Sequence, residues 1–125
     1  EIAVREQVGL LAWSPLAAGL ITGKYANGAR PQGTRWAMQK KFNQRDTHEA
    51  HAAVDAYLKI AQTHQLDIAQ MAIAFVLSRP FTTAAIIGAT TMEQLKTNIA
   101  ACDVMLSQEV MTDIQKVRRM YPMPF

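Results

Sequence analysis

Val8-Gly9-Leu10-Leu11-Ala12-Trp13 is a short, continuous apolar run, and Ser14-Pro15 follows it directly. An uncharged run of this length reads as a β-strand buried on both faces, the kind that parallel sheets use. Proline has no N–H for a ladder, so the strand stops there. Downstream, Ala84-Ala85-Ile86-Ile87 repeats the signal and Gly88 ends it. Between the two runs the pattern changes to helical periodicity. Asp46 is placed to cap a helix from Thr47 to about His64, with Glu49 as its capping-box partner. Ala50, Val54, Tyr57, Leu58 and Ala61 give that helix one apolar stripe. Asp67 and Gln70 repeat the box for a second helix, Ile68 to Arg79, which is apolar nearly all round and should be well buried; Pro80 prevents its continuation. Thr91 and Gln94 form a third box for a helix to about Ala101, and Ser107 opens a last one to about Arg119. The tail from Met120 to Phe125 carries two prolines and no period.

Alternation of buried strands with helices means parallel βα units. Two strands cannot make a stable parallel sheet by themselves, because each keeps an unpaired edge and bare apolar faces. The pattern therefore describes part of a larger α/β fold. From Ala17 to Arg45 the chain carries Gly19, Gly23, Gly28, Pro31 and Gly33, and reads as a long loop with a helical turn around Trp36 to Asn43. Loops of this length in compact domains are usually functional or disordered.

The bulk properties agree with a globular domain or part of one. The chain has 125 residues, half of them apolar and 18% charged. No apolar run approaches the length a membrane helix needs, and Glu1 to Gln7 lack the apolar core of a signal peptide. The net charge of +3 is spread along the chain apart from the doublets Lys40-Lys41 and Arg118-Arg119. That is not the contiguous basic face of a nucleic-acid binder, and it suits a small anionic ligand better. A single cysteine, Cys102, leaves no internal disulfide and no cysteine-only metal site, and it fits a reducing cytoplasm.

Ligand sites in α/β folds lie beyond the C-terminal ends of the strands. Two segments qualify: Trp13 to Gly19 leading on to Thr22-Gly23-Lys24, and Ile87 to Asn98. In the second, Gly88 lets a ligand approach the backbone closely, and Thr90 and Thr91 put hydroxyls at a helix start, which attracts phosphate. Gln94 and Asn98 share one helix face and can donate hydrogen bonds to whatever binds there. Thr91 and Gln94 equally suit a plain helix cap, and the local pattern does not choose between the two.

The spelling of both segments resembles the aldo-keto reductases. Trp-Ser-Pro-Leu-Ala-Ala-Gly-Leu-Ile-Thr-Gly-Lys-Tyr, residues 13–25, is similar to the end of their seventh strand. Ile-Ile-Gly-Ala-Thr-Thr-Met-Glu-Gln-Leu-Lys-Thr-Asn, residues 86–98, is similar to their closing strand and phosphate-binding helix. Ala72 to Arg79 before Pro80, and Leu106-Ser107, match the flanking helices. Within the family the similarity is greatest to Tas-like bacterial reductases and potassium-channel β subunits. The resemblance implies the C-terminal part of a (β/α)8 barrel, strands 7 and 8 with their helices, as a single incomplete domain over residues 1–125, with residues 17–45 as a loop covering the cofactor. It implies NADP(H) as cofactor. Trp13 then lies near the nicotinamide; Ser14, Pro15, Leu16 and Gly19 line the pyrophosphate; Lys24 adds charge; and Arg35 clamps the adenosine. Gly88, Thr90, Gln94 and Asn98 hold the adenine end. Relatives carry an aromatic just before the arginine, where this chain has Gln32-Gly33-Thr34.

The family's catalytic Asp, Tyr, Lys and His lie on earlier strands, so no catalytic residue is assigned to this chain. The implied activity of the whole protein is reduction of a small aldehyde or ketone by NADPH in the cytoplasm, with the rest of the same barrel as this segment's partner. A homo-oligomer is compatible with that reading. The alternative is a non-catalytic subunit that senses nicotinamide cofactors, as channel β subunits would. Other features have plainer readings. His48, His51 and Asp55 have metal-ligand spacing but suit a solvated helix face, His64 suits a helix C-terminus, Trp36 with Phe42 pins the loop, and Cys102 reads as a small buried residue. Tyr57 and Lys59 point to different faces and make no acid–base pair.

Overall fold

The computed structural model describes residues 1–38 and 45–124. A short helix, α1 (Ile2–Arg5), leads into β1 (Leu10–Trp13). Two 3-10 turns (Ala17–Thr22 and Ala26–Gly28) and α2 (Arg35–Met38) follow. Then come α3 (His48–Thr63), α4 (Ile68–Leu77), β2 (Thr82–Ile86), α5 (Met92–Ala100), a 3-10 turn (Ala101–Asp103) and α6 (Gln108–Met120). The expected order of strand, long loop, two helices, strand and two helices is thus present. The part of the loop helix beyond Met38, the Lys40-Lys41 doublet and Phe42 lie outside the described residues.

The two strands pair with each other in parallel, with Leu11 opposite Ala84, Ala12 opposite Ala85 and Trp13 opposite Ile86. Gly9 lies where a side chain would collide with the Thr83 hydroxyl, 1.7 Å from the position of a Cβ, so glycine lets the strands approach. The expectation of strands buried on both faces is corrected here. Leu11 is 59% exposed, Trp13 71% and Ile86 52%. The physical reason is the layer count: α4 packs on β2, while the outer edges of the pair meet no further strand among the described residues.

The helices bury their apolar sides against one another instead. Ile60 and Ala61 of α3, Ile68 and Met71 of α4, and Val110, Ile114 and Val117 of α6 form one core. The stripe read along α3 is present, with Ala50, Ala53, Val54, Ile60 and Ala61 buried and Tyr57 and Leu58 half-buried. Helix α4 is less enclosed than its composition suggests: Ile68, Met71, Ile73 and Ala74 are buried, while Ala72 and Phe75 to Leu77 are only partly covered. The side of α4 that carries Ala72, Phe75 and Val76 borders an open apolar cleft.

Three caps hold as expected. Asp67 accepts from the Gln70 N–H, Thr91 from the Gln94 N–H, and Ser107 from the Val110 N–H. The cap of α3 differs: Thr47, not Asp46, accepts from the Ala50 N–H. Asp46 is drawn away by Arg30 and His51, and a charged pair outcompetes a cap that the adjacent hydroxyl can supply. The Gln70 side chain also leaves its box, donating to the Thr97 carbonyl at 3.2 Å and so tying α4 to α5. Cys102 is exposed, against expectation, because the 3-10 turn after α5 directs Ala101 inward in its place.

Candidate functional site at the strand ends

Parallel pairing puts Trp13 beside Ile86, so both candidate segments start from adjacent points at the C-terminal end of the sheet. The first leaves β1 through a contorted path. Ser14, Ala17 and Ala18 have φ of 55°, 48° and 59°, a region that L-residues enter at a cost, and Gly19 follows at 95°. Hydrogen bonds hold this path. The Ser14 carbonyl accepts from the Ala17 N–H at 2.9 Å, and the Leu16 carbonyl from the N–H groups of Gly19 (2.8 Å) and Ile21 (3.2 Å). The Thr22 hydroxyl donates to the Gly19 carbonyl at 2.7 Å. Pro15 and Leu16 are half-buried.

Lys24 returns over this turn: its Nζ stands 3.3 Å from where a Gly19 Cβ would be, and 5.2 Å from the centre of the Tyr25 ring. Gly19 and Lys24, five apart in sequence, are therefore brought together. Arg35 begins α2 and is exposed. The stretch 17–38 is more than a loop. Leu20, Tyr25 and Trp36 bury themselves against Ala50 and Val54 of α3 and make a second small core. Trp36 thus anchors the segment, with Tyr25 as its ring partner at 5.5 Å between centres, while the expected partner, Phe42, lies outside the described residues.

The second segment is held more simply. Gln94 reaches back so that its side-chain oxygen accepts from both the N–H and the hydroxyl of Thr90, at 3.0 and 3.1 Å. Asn98 is 5% exposed and its amide donates to the Gly88 carbonyl at 3.5 Å. The Gln94 oxygen and the Asn98 amide thus hold this turn in shape. At Gly88 a Cβ would touch nothing within 4 Å, and its φ is not left-handed. Backbone strain is therefore no reason for glycine there, while open space above the backbone remains one. Glu93 stands in the first turn of α5, so the helix start also carries an acidic group.

Whether these residues suit a dinucleotide phosphate can be judged from the donor set. A helix start, the Thr91 hydroxyl, a glycine open to approach and the cations Lys24 and Arg35 are the groups that bind phosphate. They fit.

Sequence reasoning missed one network. Arg30 lies over the Trp36 and Tyr25 rings, 5.6 and 6.0 Å from their centres, and pairs with Asp46. The other Asp46 oxygen meets His51 Nε2 at 2.6 Å. Burial pushes the Asp46 carboxyl up, but hydrogen bonds from His51 and Arg30 outweigh that and hold it below the ordinary aspartate value. The only signal was spacing, since Asp46 and His51 lie five apart, and Asp46 had a competing reading as a cap. No group of three metal-ligating side chains exists among the described residues. His64 caps the C-terminus of α3 as read, and its Nε2 also meets Asp113 of α6 at 3.1 Å. Tyr57 is half-buried while Lys59 is exposed. Burial raises the Tyr57 hydroxyl above its usual value, against a smaller opposing pull from Arg118.

Comparison with known proteins converges on one family. The sequence model described as "Aldo/keto reductase family" matches residues 1–119. The chain belongs to the aldo/keto reductase family. It is 45% identical over 124 residues to the protein tas of Escherichia coli, covering 99% of this chain and 36% of tas. It is 36% identical over 120 residues to a probable voltage-gated potassium channel subunit beta of Oryza sativa subsp. japonica, covering 92% of this chain and 37% of that protein. A glycerol dehydrogenase of Gluconobacter oxydans superposes with a TM-score of 0.73 at 22% identity, over 98% of this chain and 38% of the enzyme, a likeness of fold. The resemblance read in the two segments is borne out, down to the tas and channel-subunit relatives. The chain spans little more than a third of the curated relatives it matches. The (β/α)8 barrel is the fold of the family, and this chain is a partial α/β piece of that kind.

No described helix is long and apolar enough to cross a membrane.

Proposed function

We propose that this chain supplies the NADP(H)-binding end of a cytoplasmic carbonyl reductase, with β1 and β2 as strands 7 and 8 of the barrel. The observation that carries the reading is the adjacency of Trp13 and Ile86, which starts both phosphate-type segments from one end of the sheet. In this reading the turn at Ser14 to Gly19 lines the pyrophosphate, with Pro15 and Leu16 as its floor. Lys24 adds charge beside Gly19, and Arg35 clamps the adenosine from the stretch 17–45, which covers the bound dinucleotide. Gly88 leaves room for it, and the start of α5, with Thr90 held by Gln94 and Gly88 held by Asn98, takes the adenine end. Trp13, largely bare in this chain, forms one wall of the nicotinamide pocket. Bound NADPH supplies a hydride for an aldehyde or ketone. The proton donor belongs to parts of the barrel outside these residues.

Cofactor preference tests this. A 2′-phosphate at the adenosine end can recruit Arg35 and the N–H groups at the Thr90-Thr91 helix start, each charge-assisted bond being worth roughly 1.5–3 kcal/mol. Glu93 opposes a second anion at the helix start and moderates the gain. The intact protein should bind NADPH at least about tenfold more tightly than NADH, since 1.4 kcal/mol is a factor of ten. Equal dissociation constants in a fluorescence titration would contradict it.

A second reading, a cofactor-sensing regulatory subunit, is favoured by the similarity to the channel subunit beta. It shares the same site. The two readings part on whether the intact protein turns over an aldehyde.

A further inference from the structure

We propose that Asp46 and Arg30 are positioning residues that hold the phosphate turn in shape through Trp36, a role that rests on the cofactor site proposed above. The physical problem is the turn itself. Ala18 and Gly19 both have left-handed φ, 59° and 95°, and Ala18 has a Cβ that disfavours it. A group outside the turn adds to the hydrogen bonds that hold it there. The Trp36 indole N–H does so directly, donating to the Ala18 carbonyl at 3.1 Å.

Trp36 is in turn fixed by two neighbours. The buried Tyr25 ring is tilted against it, and the Tyr25 hydroxyl accepts from the Trp36 backbone N–H at 3.5 Å. The Arg30 guanidinium lies over both rings. Arg30 has its charge met by Asp46, which sits just ahead of α3 and is anchored there by His51 at 2.6 Å. The side chains of Arg30, Asp46 and His51 are 22–32% exposed, enough to shield the pairs from the full screening that weakens surface ion pairs. One contact path therefore runs from α3 through Asp46, Arg30 and Trp36 to Ala18 and Gly19. Lys24 stands on the same Tyr25 ring, so the path also fixes the cation beside Gly19.

Neither Asp46 nor Arg30 need touch the cofactor. Loosening either should let Ala18 and Gly19 relax towards ordinary backbone angles and change the surface that the proposed site offers to the pyrophosphate.

The test uses the intact protein with NADPH as the probe, and compares the parent with Asp46→Asn, Arg30→Gln, Arg30→Lys and Gly88→Val. Asp46→Asn and Arg30→Gln should each weaken NADPH binding about five- to tenfold, the low end of coupling between linked sites. The loss should appear in the Michaelis constant for cofactor and not in turnover at saturation. Arg30→Lys, which keeps the charge and loses the flat stack, should fall between parent and Arg30→Gln. In the cofactor-free protein, amide exchange at Ala18 and Gly19 should quicken in Asp46→Asn and Arg30→Gln and stay unchanged in Gly88→Val. Parent-like affinity and exchange in a folded Arg30→Gln protein, with Gly88→Val impaired, would overturn the positioning role alone. Failure of the parent to bind NADPH, or full binding by Gly88→Val, would instead overturn the cofactor site on which the role rests.

Discussion

The 125 residues expressed alone will show no carbonyl reduction with NADPH, and will self-associate or remain partly molten. Leu10, Leu11, Trp13 and Ile86 are each between 44% and 71% exposed, all on a two-stranded sheet. A pair of parallel strands is marginal in water, and its outer edges offer unpaired N–H and C=O groups to any other chain. Closing a barrel removes both liabilities at once, by pairing every edge and covering both faces. The helical cores around Met71 and Trp36 are real, so much of the helix content should survive. In the proposed reading, moreover, the proton donor lies on strands outside this stretch. Mixing with the complementary part of the protein should restore activity if the two pieces dock. NADPH consumption with a reactive aldehyde, followed for the piece alone and for the mixture, decides it. Turnover by the purified piece at the rate of an intact reductase would mean that a proton donor has been overlooked among these residues.

Gly88→Val in the intact protein should cut cofactor affinity by about tenfold to a hundredfold, the equivalent of losing one or two hydrogen bonds to a charged group at roughly 1.5–3 kcal/mol each. The substitution is a clean probe because of its surroundings. A Cβ at Gly88 meets no protein atom within 4 Å, and the backbone there has no left-handed φ that valine would resist. Expression, helix content and thermal midpoint should therefore stay near those of the parent. A titration showing full affinity would make Gly88 an ordinary turn residue.

Much of the fold was legible because it rests on local rules. Val8 to Trp13 and Ala84 to Ile87 announced strands, each off by a residue or two at its ends, and Asp67, Thr91 and Ser107 announced helix starts by their capping side chains. What failed were the long-range competitions. Asp46 looked like a cap, but Arg30, sixteen residues away, takes its carboxylate and leaves the cap to Thr47. Cys102 looked buried by type, but the phase of one 3-10 turn faces it outward. Strand burial failed for a different reason: apolar runs tell what a strand would cover in a whole barrel, and this chain supplies only part of the covering. At the candidate site, Gly88 and Thr90 read as phosphate-type residues from the local pattern and Gly19 and Lys24 from the resemblance, and their contact with a phosphate is part of the proposal. The left-handed turn at Ala17 and Ala18 was not legible, because alanine gives no sign of it and one of the groups that hold it, Trp36, lies eighteen residues from Ala18.

The most direct measurement is a crystal structure of the intact protein grown with NADPH. The pyrophosphate should lie over Ser14 to Gly19 with Lys24 alongside, and the adenosine phosphate against Thr90 at the start of α5. Density for the dinucleotide away from both segments, or only one of them in contact with it, would contradict the proposal that β1 and β2 together form the cofactor-binding end of the barrel.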